Sequence, residues 1–392
     1  MMNIVFVSLK SPVSYLGGAE ILTFVLAESL VSLGHRVTIY TAGNGLRRVL
    51  RGVTIQEVRL FRLPLRFRTT LQPLYSFILR FFFYFNKDFR NASIVHAVDS
   101  SAIMLLAGWQ FLEKKLVATI QDYTLIWPKK DYFSYGSEKK HDHSVVTSFA
   151  ERIRQRNSYA ALQKLTHVIC VSDYVAKRYR EVNDRTIISV IGNGVSSGWK
   201  MPRATHKRDI DILYVGKLMP YKGLDILLDA LPLLSKTSTV SVVIVGEGLH
   251  ERYKKQLQKL RTPHEVRFTG PIPYRDIPDF YQRSKIVISP SIWPEPCGRS
   301  IIEAMWMGCA VVATSVGGTP ESLVDTLHGY LVPPHDPKAI ARATGYLLAH
   351  PAIRDRVGRQ AASYARKNYS ARRIARKYVK FYGLIKSQRL VI

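Results

Sequence analysis

The sequence has 392 residues, of which 47% are apolar and 22% are charged, a balance typical of globular proteins that excludes a disordered or fibrous chain. One hydrophobic core stops growing before this length, so two domains of similar size are expected. The chain carries 57 lysines and arginines against 29 acidic residues, a net charge of +28, and such a surface attracts phosphorylated small molecules, anionic lipid headgroups or nucleic acid.

The three cysteines, Cys170, Cys297 and Cys309, lie in or beside apolar runs. Their number and placement favour a reducing compartment over a disulfide framework. The apolar run at residues 4–7 is too short for the core of a secretory signal. The sequence contains no run of about 18 apolar residues, so no membrane-spanning helix is predicted. We therefore expect a cytoplasmic protein.

In the first half, short β-branched runs alternate with longer segments of helical period, which predicts parallel strands covered by helices. The first strand is predicted at residues 4–7, followed by a loop, a helix at 19–33 that Gly34 ends, and a strand at 36–40. Further strands are predicted at residues 94–98, 116–120, 167–171 and 186–191.

Residues 192–208 are rich in Gly, Ser, Pro and basic side chains, as in a connection between domains. A second alternating series follows, with strands predicted at residues 210–215, 240–245, 266–268, 286–289 and 310–314. The predicted fold class is α/β, with two Rossmann-like doubly wound domains, at 1–195 and 196–370, facing across a cleft. Residues 371–392 are predicted to form a basic helix that crosses back to the first domain. In such folds ligands bind beyond the carboxyl ends of the strands.

The most specific motif is WPEPCGRSIIE, residues 293–303, which follows a predicted strand of the second domain. Its prolines hold Glu295 on an extended loop, and a helix beginning at Gly298 directs backbone amides towards that loop. Glu303 lies among apolar residues of this helix, where a carboxylate needs hydrogen-bond donors. Ribose hydroxyls would supply them. The alternative is a solvated Glu295 and a Glu303 paired with a lysine.

A second motif, GKLMPYKG at residues 216–223, directly follows the first strand of the second domain. Lys217 and Lys222 thus stand at the carboxyl end of a strand. Their charges would neutralise a diphosphate and stabilise it as it departs, which transfer from a nucleotide sugar requires. The alternative is a pair of solvated surface lysines.

These residues, in this order, resemble the retaining glycosyltransferases of family 4, also called glycosyl transferases group 1, which have the GT-B fold. The resemblance covers nearly the whole chain. It implies that Lys217 and Lys222 hold the donor diphosphate, that Glu295 lies near the transferred sugar and that Glu303 binds the ribose. Lys217 stands where the family has an arginine. The implied donor-binding residues are Gly17, Gly18, Lys217, Lys222, Gly246, Glu247, Glu295, Cys297, Gly298, Arg299, Ser300 and Glu303.

The first domain carries further stretches that are similar to the family. GGAE at residues 17–20 matches its glycine loop, while IVHAVD at 94–99 and TIQDY at 119–123 match two strand ends. The sequence departs from the family at Val98 and Gln121, where the family has histidines. The resemblance implies an acceptor side formed by His96, Gln121 and Asp122, and catalytic residues Glu295, Lys222, Lys217, His96 and Asp99. A buried structural histidine is the alternative for His96.

The resemblance therefore implies transfer of a hexose-type sugar, with retention, from a UDP- or GDP-sugar to a glycan or lipid-linked acceptor. No metal or other cofactor is expected, and Asp209 and Asp211 are interpreted as a chance acidic motif. Two alternatives stay open: a non-catalytic basic protein that binds nucleic acid or another anionic polymer, and a nucleotide-sugar epimerase. Because no nucleic-acid-binding module is visible, no specific nucleic-acid partner is expected.

A basic and aromatic segment at residues 59–90 has the composition of a membrane-interface element. Its basic residues are interleaved with phenylalanines and tyrosines, and Arg80 interrupts the apolar run. From residue 341 to the end, thirteen basic residues face one acidic residue, which adds to the same attraction. We expect peripheral association with the inner face of an anionic membrane. The alternative is a helix packed on the first sheet with a solvated basic face.

Overall fold

The computed structural model describes residues 1–9, 18–59, 72–123, 125–126, 156–196, 198–199, 208–234, 239–260 and 262–388. Within these residues the chain divides into two compact units. The first consists of the chain up to Gly194 together with the segment from Ala371 onwards, and the second is Val195–Ser370. Among the described residues, no helix is long and apolar enough to cross a bilayer.

The first unit is built around an eight-stranded sheet with the order β3-β4-β2-β1-β5-β6-β7-β8. Its strands are β1 Asn3–Ser8, β2 Arg36–Ala42, β3 Arg47–Leu50, β4 Val53–Val58, β5 Ile94–Ala97, β6 Leu116–Ile120, β7 His167–Cys170 and β8 Ile187–Val190. Its helices are α1 Gly18–Ser32, α2 Gln72–Phe85, α3 Lys87–Arg90, α4 Ser100–Leu106, α5 Gln110–Glu113, α6 at 156–163, α7 Asp173–Arg180 and the C-terminal helix, numbered α15 below.

The strand pairs of this sheet are parallel except for the hairpin of β3 and β4. That hairpin was not predicted. Its two turn residues, Arg51 and Gly52, have φ angles of 50° and 80°, as the tight turns that match strand twist require. Gly34, with a φ of 85°, follows the first helix as predicted.

The C-terminal helix α15 spans Ala371–Gln388 and belongs to the first unit. Its apolar side packs into the core formed by β1, β2 and the first helix, through Ile374, Tyr378, Phe381, Tyr382 and Ile385. The helix therefore completes a core whose other members come from the N-terminal half of the chain.

The second unit contains a six-stranded sheet with the order β11-β10-β9-β12-β13-β14. Its strands are β9 Ile210–Val215, β10 Ser241–Val245, β11 Glu265–Gly270, β12 Ser284–Ser289, β13 Ala310–Thr314 and β14 Tyr330–Val332. Its helices are α8 Leu224–Ala230, α9 His250–Leu260, α10 Ile277–Arg283, α11 Arg299–Trp306, α12 Thr319–Ser322, α13 Pro337–Ala349 and α14 Pro351–Tyr369. Short 3-10 turns lie at Pro220–Lys222, Leu231–Leu233 and Tyr274–Asp276.

All paired strands of the second sheet are parallel, so their carboxyl ends share one edge. The order reverses at β9, which lies between β10 and β12, and this reversal marks the place where such sheets bind ligands. The loops after β9 and β12 carry the two predicted donor motifs. The predicted α/β class, with two units built on parallel sheets, is confirmed.

Candidate active site

Lys222 and Glu295 form an ion pair, with 2.6 Å between Lys222 Nζ and Glu295 Oε1. Lys222 ends the 3-10 turn after β9, and Glu295 lies in the loop after β12. The lysine side chain is 26% exposed and the carboxylate side chain 13% exposed. Two residues predicted separately, one from each motif, are thus brought together at the carboxyl edge of one sheet.

Close contact between the two loops explains how this pair forms. Gly223 has a φ of 68°, and a Cβ there would lie 1.9 Å from the carbonyl oxygen of Pro290, a contact that only glycine avoids. The backbone amides of Ile292 and Trp293 donate to the carbonyl of Tyr221 over 3.2 and 3.1 Å. The loop after β12 is therefore fixed against the turn that presents Lys222.

A third loop, which sequence reasoning missed, holds Glu295 from the other side. The amide of Gly318 donates to the carbonyl oxygen of Glu295 over 2.7 Å. Gly317 has a φ of 56°, and a Cβ there would lie 2.5 Å from that same oxygen. The Gly-Gly pair lies in the loop after β13, at the same sheet edge, and this position was the signal that could have identified it.

Glu303 lies within a separate network of side chains in the first turns of α11. Its Oε1 accepts from Arg299 Nε over 2.7 Å and from the Tyr274 hydroxyl over 3.1 Å, and its Oε2 accepts from the Tyr281 hydroxyl over 3.2 Å. The Glu303 side chain is only 6% exposed. The donors that a buried carboxylate needs are therefore supplied by the protein itself, where the sequence analysis expected ribose hydroxyls.

The surroundings of Glu303 are aromatic. The Arg299 guanidinium stands 4.5 Å from the ring centre of Tyr274, and Trp199 packs against Tyr274 and Tyr281 with ring centres 5.2 and 5.7 Å apart. Burial, reinforced by the negative charge of Glu303, raises the pKa of both tyrosines. Their hydroxyls therefore stay protonated and serve as donors to the carboxylate.

The other predicted donor residues differ in exposure. Gly298 is the N-cap residue of α11 and offers no side chain to cap its first turn, which suits an anion there. Cys297 is buried, while Arg299 and Ser300 are half-buried. Lys217 is exposed, and its carbonyl oxygen accepts from the Tyr214 hydroxyl over 2.8 Å.

Gly246 and Glu247 lie on a loop that pairs with the Lys217 loop. The amide of Leu218 donates to the carbonyl of Glu247 over 2.8 Å, while the Glu247 side chain is exposed. A Cβ at Gly246 would lie 1.8 Å from the carbonyl oxygen of Gly216. In the structure these residues therefore bring two loops together.

In the first unit, His96 is fully buried. Its Nδ1 lies 2.6 Å from the Tyr382 hydroxyl, and its Nε2 lies 2.6 Å from Thr119 Oγ1. Burial lowers its pKa to about 3. Both ring nitrogens are occupied by protein groups, so His96 links β5 and β6 to α15 and has no ring nitrogen left for proton transfer to a substrate.

Asp99 has a capping role. Its Oδ1 accepts from the amide of Ala102 in the first turn of α4 over 2.8 Å, and its Oδ2 accepts from the amide of Leu9 over 2.7 Å. Gln121 and Asp122 follow β6 and are half-buried, and Gln121 lines a small cavity together with His96. Gly18 begins α1, and Gly17 lies outside the described residues.

Asp209 and Asp211, interpreted from the sequence as a chance motif, have partners in the structure. Asp209 pairs with Arg283, and Asp211 Oδ1 lies 2.6 Å from Lys285 Nζ. Within the described ranges, no group of three or more His, Cys, Asp or Glu side chains is placed to hold a metal ion.

Comparison with known proteins identifies the family. The model of Glycosyltransferase Family 4 matches residues 16–215, and that of Glycosyl transferases group 1 matches residues 199–364. The chain belongs to glycosyltransferase family 4. The enzyme prediction is thereby confirmed.

Relatives and solved structures of this glycosyltransferase span most of its length. An uncharacterized glycosyltransferase of Methanocaldococcus jannaschii is 24% identical over 98% of each chain. One subunit of the phosphatidylinositol N-acetylglucosaminyltransferase of Homo sapiens is 28% identical over 80% of this chain and 62% of its own. The sucrose-phosphate synthase of Thermosynechococcus elongatus has a TM-score of 0.81 at 20% identity, with 99% of this chain and 100% of that chain covered.

A second solved structure, HepE of Anabaena in complex with UDP and glucose, has a TM-score of 0.74 at 19% identity, with 97% of this chain and 99% of that chain covered. At these identities the structural likenesses establish the fold of the glycosyltransferase and not its substrates.

Proposed function

We propose that this glycosyltransferase transfers a hexose-type sugar, with retention of configuration, from a nucleotide diphosphate donor to a glycan or lipid-linked acceptor at the cytoplasmic face of a membrane. The observation that carries the proposal is the Lys222–Glu295 pair at the carboxyl edge of the second sheet. A cation and a carboxylate lie side by side at the sheet edge where folds of this kind bind their ligands, which supports a diphosphate beside the lysine and a sugar beside the carboxylate.

Lys222 has the chemistry to stabilise a departing diphosphate. One of its three N–H donors meets Glu295, which leaves two that can turn towards phosphate oxygens. The start of α11 at Gly298 adds backbone amides and the positive end of the helix dipole. Both contribute most as negative charge develops on the leaving oxygen, which is the condition for a faster reaction.

Glu295 is proposed to face the transferred sugar and to hold Lys222 in position. We propose front-face attack, in which the acceptor hydroxyl bonds to the anomeric carbon on the side from which the diphosphate leaves, and the departing oxygen receives the hydroxyl proton. This route needs no enzyme base, in keeping with the buried, fully bonded state of His96. His96 and Asp99 are therefore not carried forward as catalytic groups.

The HepE complexes with UDP and with UDP-glucose support a uridine nucleotide as the first donor to test. The human relative is named for its action on phosphatidylinositol, which supports a lipid-linked acceptor. The net charge of +28 favours association with an anionic membrane surface.

The test compares two ion pairs that lie at opposite ends of the same two strands. Lys285 and Asp211, near the amino ends of β12 and β9, are also 2.6 Å apart, with side-chain exposures of 31% and 16%. Release of nucleoside diphosphate from UDP- and GDP-sugars is measured for the wild type, Lys222→Ala and Lys285→Ala. We expect Lys222→Ala to lower the turnover number about 100- to 1000-fold and Lys285→Ala to lower it less than about threefold.

Equal turnover in Lys222→Ala and the wild type would remove the lysine from the mechanism. Turnover lost equally in both variants would assign the effect to folding. The stereochemistry is tested separately by following the anomeric proton of the product by NMR, where an inverted product would overturn the retaining assignment.

A further inference from the structure

Helix α2 presents a stripe of apolar side chains to solvent. Ile78, Phe81, Phe82 and Phe85 are 44%, 63%, 37% and 57% exposed. Their spacing of three, one and three residues places them on one side of the helix. The residues that anchor α2 are different ones, because Leu79 and Phe83 are fully buried. An apolar face turned away from the core is uncommon in a monomeric soluble protein.

Four of the exposed rings form a chain of contacts. The ring centres of Phe81 and Phe85 are 4.6 Å apart, and Tyr84 lies 5.2 Å from Phe85 and 5.3 Å from Phe111 of α5. Tyr84 and Phe111 are themselves 53% and 37% exposed. We call the aromatic face the surface formed by Ile78, Phe81, Phe82, Tyr84, Phe85 and Phe111.

Helix α2, which carries the aromatic face, is anchored by its buried side. The buried Phe83 ring packs against Phe89, Trp109 and Tyr40, with ring centres 4.2, 5.9 and 6.2 Å apart. The aromatic face is therefore exposed even though the other side of the same helix is packed into the core.

Basic side chains flank the aromatic face. Lys87 and Arg90 follow it on α3, Lys114 follows α5, and all three are exposed. Lys115 is buried instead: its ammonium donates to the Phe89 carbonyl over 2.6 Å and stands 4.4 Å from the ring centre of Phe111, so it supports that ring by a cation–π contact. Two acidic residues also lie on α3 and α5. One of them, Asp88, already accepts a hydrogen bond from the Tyr40 hydroxyl over 2.8 Å.

We propose that the aromatic face is the docking surface by which this enzyme lies on a bilayer containing anionic lipids. Aromatic rings enter the boundary between headgroups and acyl chains, while flanking lysines and arginines contact the phosphates. A second copy of the chain is a poor occupant, because two molecules of charge +28 repel each other. The inference deepens the proposed function, since it rests on the proposed location at a membrane face.

The test is sedimentation of the full-length protein with vesicles of phosphatidylcholine alone or of equal parts phosphatidylcholine and phosphatidylglycerol. We expect binding to the mixed vesicles only. Phe81→Ser/Phe85→Ser is expected to weaken this binding at least about tenfold, and Lys87→Gln/Arg90→Gln about tenfold. The control is Val324→Ser/Leu327→Ser, which removes side chains of 51% and 42% exposure in the second unit and is expected to bind as the wild type does.

Each variant is also assayed for hydrolysis of the donor sugar without acceptor or lipid. Unchanged hydrolysis with lost vesicle binding supports the docking surface, and vesicle binding without any donor hydrolysis would refute the proposed function while leaving the docking surface intact. Equal binding to neutral and mixed vesicles, no binding by the wild type, or a wild-type dimer that Phe81→Ser/Phe85→Ser dissociates would each overturn the inference.

Discussion

Gly317→Ala isolates the contribution of the loop that positions Glu295. A Cβ at this residue would lie 2.5 Å from the Glu295 carbonyl oxygen, about 0.9 Å short of the 3.4 Å at which ordinary contacts begin. Because the opposing atoms belong to the backbone of Pro294 and Glu295, the loop itself must move. A displacement near 1 Å at a reacting group can lower the rate about 100-fold.

The matched control is Gly34→Ala. Gly34 also has a positive φ, of 85°, but a Cβ there meets nothing within 4 Å. Both variants bear the cost of a left-handed alanine, about 1–2 kcal/mol. In a urea titration Gly34→Ala is therefore expected to lose that much unfolding free energy, and Gly317→Ala is expected to lose more because its Cβ also meets the loop backbone. Only Gly317→Ala is expected to lose about 100-fold in turnover number as well. A turnover number of Gly317→Ala within about threefold of that of Gly34→Ala would refute the positioning argument.

Three other variants test the remaining parts of the site. Arg299→Met removes the charged donor from Glu303, so unfolding free energy is expected to fall about 1.5–3 kcal/mol and the KM for the donor to rise more than the turnover number falls. Lys217→Ala is expected to reduce turnover less than Lys222→Ala, because Lys217 is exposed. Burial lowers the pKa of His96 from 6.5 to about 3, so between those values the unfolded chain binds a proton there and the folded protein does not. Each pH unit of acidification is then expected to lower the unfolding free energy of the wild type by about 1.4 kcal/mol more than that of His96→Gln. Urea unfolding between about pH 6 and pH 4 measures this difference.

Most of the parallel strands were predictable from the sequence, but the hairpin of β3 and β4 and the short strand β14 were not. Strands β6, β9 and β13 have the predicted bounds, because a strand covered on both faces reads as a nearly continuous apolar run. All four residues of β3 are exposed, so the run carries no apolar alternation. Its turn is Arg51-Gly52, which lacks the Asn-Gly or Asp-Gly pair that most often indicates a hairpin.

The site residues were predictable by type and position, but their partners were not. Motif spacing placed Glu303 on a helix near Gly298, yet it gave no sign of the tyrosine donors, which come from the preceding 3-10 turn and helix. The hydrogen-bond partners of His96 were also not predictable, because one of them is distant in the sequence. Its Nδ1 partner, Tyr382, lies 286 residues further along the chain, and local sequence contains no information about a contact of that separation.

Glu295 and Glu303, the two carboxylates near the start of α11, differ in their surroundings. Glu295 pairs with Lys222, whose side chain is 26% exposed, and a partly hydrated pair of this kind contributes little to stability and reorganises easily. Glu303 has three donors and is 6% exposed, and a satisfied buried network is rigid. Donor binding is therefore expected to engage the other two N–H donors of Lys222 and to shift the Lys222–Glu295 distance slightly, while Glu303 stays in place.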